Sequence, residues 1–153
     1  MPSNPDFLDR RYFFDDGLRF ACQRCGACCG GAPGLVWVGG REAAAIADFM
    51  HCPSAAAAEF FIPRGQGFAV REYSDGRCWF YEQGCRIYPL RPMQCRIYPF
   101  WLVHLRSEES WQAAARQCPG IGQGRLYTRA EILDFVALDR RLCQLADFIP
   151  YPA

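Results

Sequence analysis

The sequence predicts an α+β fold, in which short strands and helices form one small domain with irregular loops and an amphipathic C-terminal helix. The chain has 153 residues, 51% of them hydrophobic, which suffices for one domain with a buried core. Its 14 glycines and 11 prolines interrupt the apolar segments, so each element must be short. We expect one domain over residues 1–153, with residues 1–19 as a peripheral segment anchored by Phe13, Phe14 and Leu18.

Turn residues divide the first half of the chain into short elements. Gly39-Gly40 precedes an alanine-rich stretch typical of a helix, and Pro53 ends that stretch. Ser54 is a typical N-cap for a second short helix. The elements predicted here are a strand over Leu35–Val38, helices over Arg41–Met50 and from Ser54 to near Phe61, an extended segment over Gln66–Tyr73, and a returning hairpin strand over Cys78–Tyr81.

The second half of the chain ends in the most clearly predicted helix. Thr128 and Glu131 have the spacing of a capping box, and the apolar residues that follow recur at helical intervals. Before this helix, residues 118–124 are rich in glycine and predict a loop. The remaining predictions are a short helix begun by Arg91-Pro92 and two strands, over Phe100–Leu105 and Ser110–Ala115.

Four of the ten cysteines lie within one short run: Cys22, Cys25, Cys28 and Cys29. Cysteines two residues apart around a turn can direct their sulfur atoms at one ion or cluster, and the thiolate is the form that binds. Glycines between and after these cysteines allow the backbone to fold tightly. The run therefore predicts a metal centre, and we expect the irregular loops of the domain to converge on it.

Charge and targeting signals indicate the compartment and exclude some partners. The N-terminus has no basic segment followed by an apolar run and a cleavage site, so we expect a cytoplasmic chain, where thiols stay reduced. Charged residues, glycine or proline interrupt every apolar stretch before it could span a bilayer, so we expect a soluble protein. A net charge of +1 gives no long-range attraction for nucleic acid or anionic lipid. Neither nucleic acid nor a membrane is an expected partner.

A pentapeptide occurs twice in the middle of the chain. Cys-Arg-Ile-Tyr-Pro spans residues 85–89 and again residues 95–99. A period of ten residues is too short for a solenoid repeat. The two copies instead predict two similar local turns, each of which presents one thiolate, from Cys85 and from Cys95.

Further segments accompany the cysteine run of Phe20–Cys29: Cys78 with Gly84-Cys85-x-Ile-Tyr88, the stretch from Arg91 to Trp101, and Cys118-Pro-Gly-Ile-Gly122. Together they resemble the YkgJ-like cysteine-cluster proteins, whose domain with a CxxCxxCC signature is described as chelating zinc or iron. The resemblance covers most of the chain and implies no known reaction. It implies eight metal-binding cysteines: Cys22, Cys25, Cys28, Cys29, Cys78, Cys85, Cys95 and Cys118.

The spacing of these cysteines bears on the metal. Three cysteines at three-residue steps with a remote Cys-Pro are typical of cubane clusters in bacterial-type ferredoxins. This favours a 4Fe-4S cluster on four residues: Cys22, Cys25, Cys28 and Cys118. The others would bind a second centre or share this one: Cys29, Cys78, Cys85 and Cys95. Zinc is the alternative, because four thiolates make a closed tetrahedral site that suits the Cys-x-x-Cys spacing.

Residues near the cysteines have both structural and functional interpretations. Aromatic residues flank the later cysteines and could exclude water from a metal centre, but core packing is their commoner role. Arg86, Arg91 and Arg96 could neutralise an anionic cluster or bind an acidic substrate, whereas solvated surface arginines are more common. The sequence leaves these alternatives open.

The two histidines and the two remaining cysteines are not predicted to bind metal. Neither His51 nor His104 is a predicted ligand, and His104 is predicted to lie on the face of a strand. Cys52 and Cys143 lie outside the family pattern, and we expect them to be small buried side chains or free thiols.

Two classes of function follow from the predicted metal centre. In the first, an iron-sulfur protein transfers electrons or supports a cluster-dependent modification, with a redox partner or substrate that the sequence does not identify. In the second, zinc makes the chain a structural or chelating module without catalysis. Enzymatic activity would require an open coordination position on the metal, and the sequence does not decide whether one exists.

Overall fold

The computed structural model describes residues 10–26, 28, 36–52 and 54–147. Two small antiparallel sheets and a set of short helices form this part of the chain, which confirms the predicted α+β class. In chain order the elements are β1 (Leu18–Phe20), β2 (Trp37–Val38), α1 (Gly40–Phe49), a 3-10 helix (Ser54–Glu59), β3 (Phe61–Arg64), β4 (Gly67–Val70), a second 3-10 helix (Tyr88–Leu90), α2 (Met93–Ile97), α3 (Leu102–Leu105), α4 (Glu108–Gln117), β5 (Arg125–Tyr127) and α5 (Arg129–Leu145).

The two sheets differ in how far their strands are separated along the chain. β1 pairs with β5, with Leu18 opposite Tyr127, so the sheet joins the two ends of the described chain. The second sheet has the strand order β2-β4-β3, and the hairpin of β3 and β4 places Phe61 opposite Val70. Gly65 in the hairpin turn has φ +56°, a conformation that side chains disfavour.

The predicted hairpin strand over Cys78–Tyr81 is wrong. β4 pairs with the strands before it, whereas the later segment makes only isolated bridges, between Glu72 and Cys78 and between Tyr81 and Cys85. The backbone N–H of Tyr81 donates to the carbonyl of Cys78 at 2.9 Å, so the chain curls back on itself instead of extending. The two bridges close two tight turns, over residues 73–77 and 82–84, and a cysteine follows each turn.

The predicted strands over Phe100–Leu105 and Ser110–Ala115 are also wrong, because these segments form helices α3 and α4. Ser107 caps α4, since its hydroxyl accepts the N–H of Ser110 at 3.0 Å, and two glutamates occupy the first helical turn. Trp111 and Ala114, three residues apart, are buried on one face of the helix. Capping and helical burial therefore outweigh the local strand preference.

The other predicted helices form near their expected positions. α1 starts at Gly40 and buries Ala43, Ile46 and Ala47. The segment after Pro53 is a 3-10 helix that includes Ser54, so the predicted short helix exists in a tighter form and Ser54 does not precede it. α2 follows Pro92 directly, as the Arg91-Pro92 pair predicted. The predicted strand near Leu35 is observed over Trp37–Val38, and Leu35 lies outside the described residues.

Buried side chains form three adjoining clusters. The first packs α1 against the three-stranded sheet and includes Val38, Ile46 and Phe80. The second packs α5 against α4 and the two-stranded sheet, and Phe14, 2% exposed, anchors the N-terminal segment there. A third cluster, with Trp37, Ile97, Leu142 and Ala146, lies where α2, α5 and β2 approach one another. The loops that connect these clusters carry the cysteines.

Candidate metal centre

One cavity of about 440 Å³ collects the cysteines that the sequence singled out. It is lined by residues from β1, from β4 and from the loops between Phe80 and Tyr98, so both sheets contribute to it. The nine described cysteines are thiols and form no disulfide with one another. Seven of the predicted ligands line the cavity: Cys22, Cys25, Cys28, Cys78, Cys85, Cys95 and Cys118. The eighth, Cys29, lies outside the described residues.

The inner group consists of Cys28, Cys78, Cys85 and Cys95. Cys78 and Cys85 end the two tight turns, and Cys95 projects from the middle of α2. Burial raises the pKa of the Cys95 thiol, and the neighbouring thiols of Cys28, Cys78 and Cys85 raise it further. Burial is likewise the main cause of the raised pKa of Cys78, with additional contributions from Cys85 and Cys28. These mutual effects mark four thiols that share one region of the cavity.

The outer group consists of Cys22, Cys25 and Cys118. The backbone N–H of Ala21 donates to the carbonyl of Gly120 at 3.0 Å, and Phe20 makes an isolated bridge with Ile121. These contacts hold the first cysteine run against the glycine loop that carries Cys118. Burial raises the pKa of Cys118, and the Cys25 thiol raises it further.

Backbone N–H groups lie close to three of the sulfur atoms, in each case from the residue two positions further along the chain. Arg24 N lies 3.4 Å from Cys22 Sγ, and the N–H of Phe80 donates to Cys78. The backbone N–H groups of Gly120 and Ile121 lower the pKa of the Cys118 thiol, against the effect of burial, and the Ile121 N–H donates to the carbonyl oxygen of Cys118 at 3.2 Å. Hydrogen bonds to sulfur stabilise its anionic form and tune the properties of metal centres. The turns are therefore shaped for thiolates.

A cation in the cavity would offset the main energetic problem of these thiols. Burial alone disfavours thiolates, as the raised pKa values of Cys78, Cys95 and Cys118 show. A coordinating metal ion deprotonates a thiol outright, and binding then releases protons. The residues present thus fit a thiolate-bound metal, with the seven described cysteines as its available ligands.

The walls of the cavity are mainly apolar. Phe20, Val36, Val70, Phe80 and Ile87 line it, and both Phe80 and Ile87 are buried within the first core cluster. An apolar wall keeps water from sulfur ligands and influences the redox potential of a metal centre. Phe80 therefore packs the core as the structural interpretation of the aromatic residues expected, while their role at a metal centre stays a prediction.

Arginines stand at the polar part of the cavity wall. The guanidinium carbons of Arg24 and Arg91 lie 3.8 Å and 3.9 Å from the centre of the Tyr88 ring. Arg86 also lines the cavity, where it donates to the carbonyl of Trp79 and forms an ion pair with Glu82 at 3.7 Å.

Arg96, the third arginine that the sequence singled out, binds backbone carbonyls. Its side chain donates to the carbonyls of Arg91 and Pro89 and does not line the cavity. Sequence reasoning missed Arg24 at the cavity wall, although its place between Cys22 and Cys25 was an available signal.

The two histidines and the two additional cysteines do not line the cavity. His104 lies on α3, so its predicted position on a strand is wrong, and its Nδ1 is 2.8 Å from the carbonyl oxygen of Pro99. His51 follows α1 and is exposed. Cys52 packs against the first core cluster. Cys143 lies on α5, where burial raises its pKa to about 11.

The described part of the chain holds no compact site for a single ion. Among its residues, no three His, Cys, Asp or Glu side chains lie close enough together to bind one ion as they stand. The seven thiols surround a larger space instead.

As for membranes, none of the described helices combines the length and apolar character needed to cross one.

An α+β fold whose loops bring seven thiols to one cavity defines a cysteine-rich metal-binding protein. The chain belongs to the CxxCxxCC family, whose model matches residues 21–119 and is described as a "putative zinc- or iron-chelating domain". The match confirms the resemblance drawn from the cysteine segments and supports zinc or iron as the bound metal. No solved structure matches the chain.

Proposed function

We propose that the protein binds iron-sulfur clusters and acts in electron transfer or in a cluster-dependent modification. The observation that carries the proposal is the convergence of seven cysteines, from segments far apart in sequence, on one cavity of about 440 Å³. Membership of a family described as chelating zinc or iron supports metal as the ligand of these thiols. The choice of an iron-sulfur centre depends on the size of the space that the thiols surround.

The number of thiols that line one cavity supports a cluster over a single zinc ion. Four thiolates on one zinc ion, each about 2.3 Å from it, lie roughly 3.8 Å from one another. No three described side chains of suitable type are assembled for a single ion, although seven thiols face the same cavity. Thiolates around a cluster stand farther apart because iron and sulfide atoms lie between them. The backbone N–H donors at Cys22, Cys78 and Cys118 suit the sulfur ligands of such clusters.

We propose two centres, with a partition that differs from the one the spacing favoured. Cys28 shares the inner group with Cys78, Cys85 and Cys95, which supplies four thiolates. Cys118 faces Cys25 beside Cys22, and these three belong to the outer centre. Cys29, the remaining cysteine of the family pattern, is the candidate fourth ligand of that centre. Adjacent Cys28 and Cys29 would then serve different centres.

The cysteines of the first run differ from the other cavity cysteines in their access to solvent, which bears on their roles. Cys22, Cys25 and Cys28 are exposed, whereas Cys118 is buried and the cysteines of the turns and of α2 are half-buried. When bound, an iron-sulfur cluster supplies reversible one-electron chemistry. The exposed cysteine run would place one edge of the outer centre within reach of a partner protein, while the apolar wall excludes water from the inner centre.

Elemental analysis of anaerobically purified protein tests this proposal. We expect iron and acid-labile sulfide in equal amounts, with a brown chromophore, and the amount of iron per chain gives the number of clusters. Stoichiometric zinc without sulfide would reject the iron-sulfur proposal and support a structural or chelating module. An absence of both metals would contradict metal binding by the purified chain.

A pair of cysteine variants tests the assignment of ligands. Cys95→Ser removes a thiol from the inner group, and we expect it to lose the metal of that centre. Cys143→Ser alters a half-buried cysteine on α5 outside the cavity and should keep the metal content of the wild type. Equal metal content in the two variants would contradict the inner group as a binding site.

A further inference from the structure

Three arginines gather around one short segment at the rim of the cavity. Arg24 and Arg91 line the cavity, and their guanidinium carbons lie 3.8 Å and 3.9 Å from the centre of the Tyr88 ring. Arg96 lies outside the cavity lining, where its side chain donates to the carbonyl oxygens of Arg91 at 2.8 Å and Pro89 at 3.2 Å. All three guanidinium groups therefore lie around the second 3-10 helix, and we call these three residues the arginine cluster.

The positive charge of the arginine cluster is not offset by a carboxylate of the described chain. The ion pairs among the described residues involve other arginines. Of the described residues that line the cavity, only Glu82 is acidic, and it pairs with Arg86 at 3.7 Å. Because the net charge of the whole chain is only +1, three uncompensated cations in one place are a local feature.

The contacts that fix these arginines leave hydrogen-bond donors over. Two guanidinium groups at such distances fit on opposite faces of Tyr88, and a stacked guanidinium keeps its in-plane N–H groups for a carboxylate. Each guanidinium has five N–H donors, of which the contacts with backbone carbonyls use one on Arg91 and two on Arg96. Side chains that are already fixed lose less conformational entropy when they bind.

The covered faces of Tyr88 distinguish between anionic partners. Single-stranded nucleic acid stacks its bases on aromatic side chains, and the two guanidinium groups occupy the faces on which a base would stack. A carboxylate needs only N–H donors, which the arginines supply. Arg24 also lies between the exposed Cys22 and Cys25 in the chain, so an anion bound there is next to the proposed outer centre.

We propose that the arginine cluster is a docking surface for a partner protein that presents Asp and Glu side chains. The inference rests on the proposed function, because the partner docked there would be the protein that the outer centre serves. Arg96 supports docking over simple neutralisation of the metal centre, since it adds positive charge outside the cavity lining.

Binding of an acidic peptide tests the inference. Decaglutamate with a red-fluorescent label is titrated with anaerobically purified protein, and its fluorescence anisotropy is recorded at low salt. We expect Arg24→Gln and Arg96→Gln each to weaken binding roughly two- to fivefold, the effect of one exposed charge pair. Glu82→Gln removes the carboxylate that pairs with Arg86 and should strengthen binding. Binding by the wild type should weaken as NaCl is raised to about 0.15 M.

Arg11→Gln is the matched control, because it removes the same charge from an exposed residue that does not line the cavity. This variant should bind the peptide as the wild type does. Equal weakening in Arg11→Gln and in the cluster variants, or none in the cluster variants, would overturn the inference. Tighter binding of decathymidylate than of decaglutamate, weakened by the same substitutions, would assign the surface to nucleic acid and overturn it as well.

Metal and acid-labile sulfide, measured on the same preparations, separate this inference from the proposed function. Zinc without sulfide, together with peptide binding that depends on the arginine cluster, would reject the iron-sulfur centre and support the docking surface. Iron and sulfide with peptide binding indifferent to the cluster would do the reverse. Loss of metal in Arg24→Gln with unchanged peptide binding would show that this arginine serves the metal alone and overturn the inference. If the arginine variants do not fold, as judged by circular dichroism, the gain expected of Glu82→Gln decides.

Discussion

Gly26 shows at the scale of one residue how tightly the first cysteine run is folded. Its φ of +80° lies in the left-handed region, where a side chain is strained. A Cβ atom at this position would lie 2.6 Å from the hydroxyl oxygen of Tyr81 and would collide with its ring. The ring of Tyr81 thus occupies the space that the missing side chain leaves, and the backbone conformation beside Cys25 depends on glycine.

We expect Gly26→Ala to destabilise the protein by about 1–2 kcal/mol from backbone strain, with a further cost from the collision. Metal content should fall with stability, because the backbone next to Cys25 would be distorted. Urea unfolding and elemental analysis of the same preparation measure both effects.

Gly40→Ala is the matched control. Gly40 starts α1, and a Cβ atom there would meet no atom within 4 Å. Alanine should leave stability unchanged or raise it by about 0.4–1 kcal/mol, with full metal content. Equal losses in the two variants would show that the turn at Gly26 has no special part in the centre.

The chemistry of single residues was more predictable from sequence than their grouping. Thiolates in a run with glycines predict a metal site because coordination chemistry restricts the residue types. Spacing alone grouped Cys28 with Cys118, whereas the effect of Cys28 on the pKa values of Cys78 and Cys95 supports the proposed grouping with Cys78, Cys85 and Cys95. That neighbourhood results from the two tight turns and α2, which bring distant residues together in ways that local spacing does not encode.

At the scale of elements, a carboxylate on α5 accepts the backbone N–H group of the first residue of α3. The carboxylate of Asp139 on α5 accepts the N–H of Leu102 at 2.9 Å, and Asp139 is only 7% exposed. Burial raises the pKa of this carboxyl group, while the Leu102 N–H and the charge of His104 act in the opposite direction. The negative charge of Asp139 is therefore a net cost to the folded state.

We expect Asp139→Asn to be at least as stable as the wild type at neutral pH. The amide oxygen can still accept the N–H of Leu102, and no charge is buried. A raised pKa means that the folded state binds a proton more readily than the unfolded chain does. The free-energy cost of the buried Asp139 charge is therefore fully present above the pKa of the folded state, and it vanishes below the pKa of the unfolded chain, about 3.9. The advantage of asparagine should thus shrink on acidification, as urea unfolding between pH 7 and pH 4 can measure.

Asp139→Ala provides the comparison, because alanine leaves the N–H of Leu102 without its acceptor. We expect a loss of about 1–3 kcal/mol at neutral pH. An advantage of Asp139→Asn that grows as the pH falls would contradict the assigned direction of the pKa shift.

The start of α5 depends on a capping box. Thr128 accepts the N–H of Glu131 at 3.2 Å, and Glu131 accepts the N–H of Thr128 at 2.8 Å. We expect Thr128→Ala to cost about 1 kcal/mol, equivalent to roughly 2–4 °C in Tm, while Thr128→Ser keeps the cap and most of the stability. Thermal unfolding compares the two, and an equal loss in both would indicate that the hydroxyl group does not cap the helix.

α5 and α4 also show why some elements could be predicted and others not. The capping box at Thr128 and the apolar residues after it agree, so local sequence and burial indicate the same helix. In α4 the cap at Ser107 is equally local, yet its helical face contains little more than Trp111 and Ala114. A short amphipathic pattern of that kind does not exclude a strand until its burial partners are known.

At the scale of the whole molecule, the cysteine-lined cavity lies between the first two core clusters and takes cysteines from beside both sheets. Cys22 and Cys118 lie beside the two-stranded sheet, whereas Cys78 and Cys85 follow the three-stranded one. A site of this kind does not exist in the unfolded chain, so metal binding and folding are coupled. Removal of metal should therefore loosen the loops before it unfolds the helices.

Hydrogen exchange after chelation tests that expectation. We expect protection to fall within residues 20–28 and 78–95 when metal is removed, while α5 keeps its protection because Ile132 and Val136 are buried apart from the cavity. Uniform loss across the chain would indicate that the metal supports the whole fold. Unchanged protection in both regions would contradict any structural role for the metal.

The contact between the first cysteine run and the glycine loop has a consequence for biosynthesis. Ala21 binds Gly120, and Cys118 completes the cavity, so the wall near Cys22 forms only after most of the chain has been synthesised. Until then the emerging thiols have no closed environment and are open to oxidation or to capture of the wrong metal. Loading of the proposed outer centre would therefore follow the appearance of Cys118, whereas the four cysteines of the proposed inner centre are all synthesised before it.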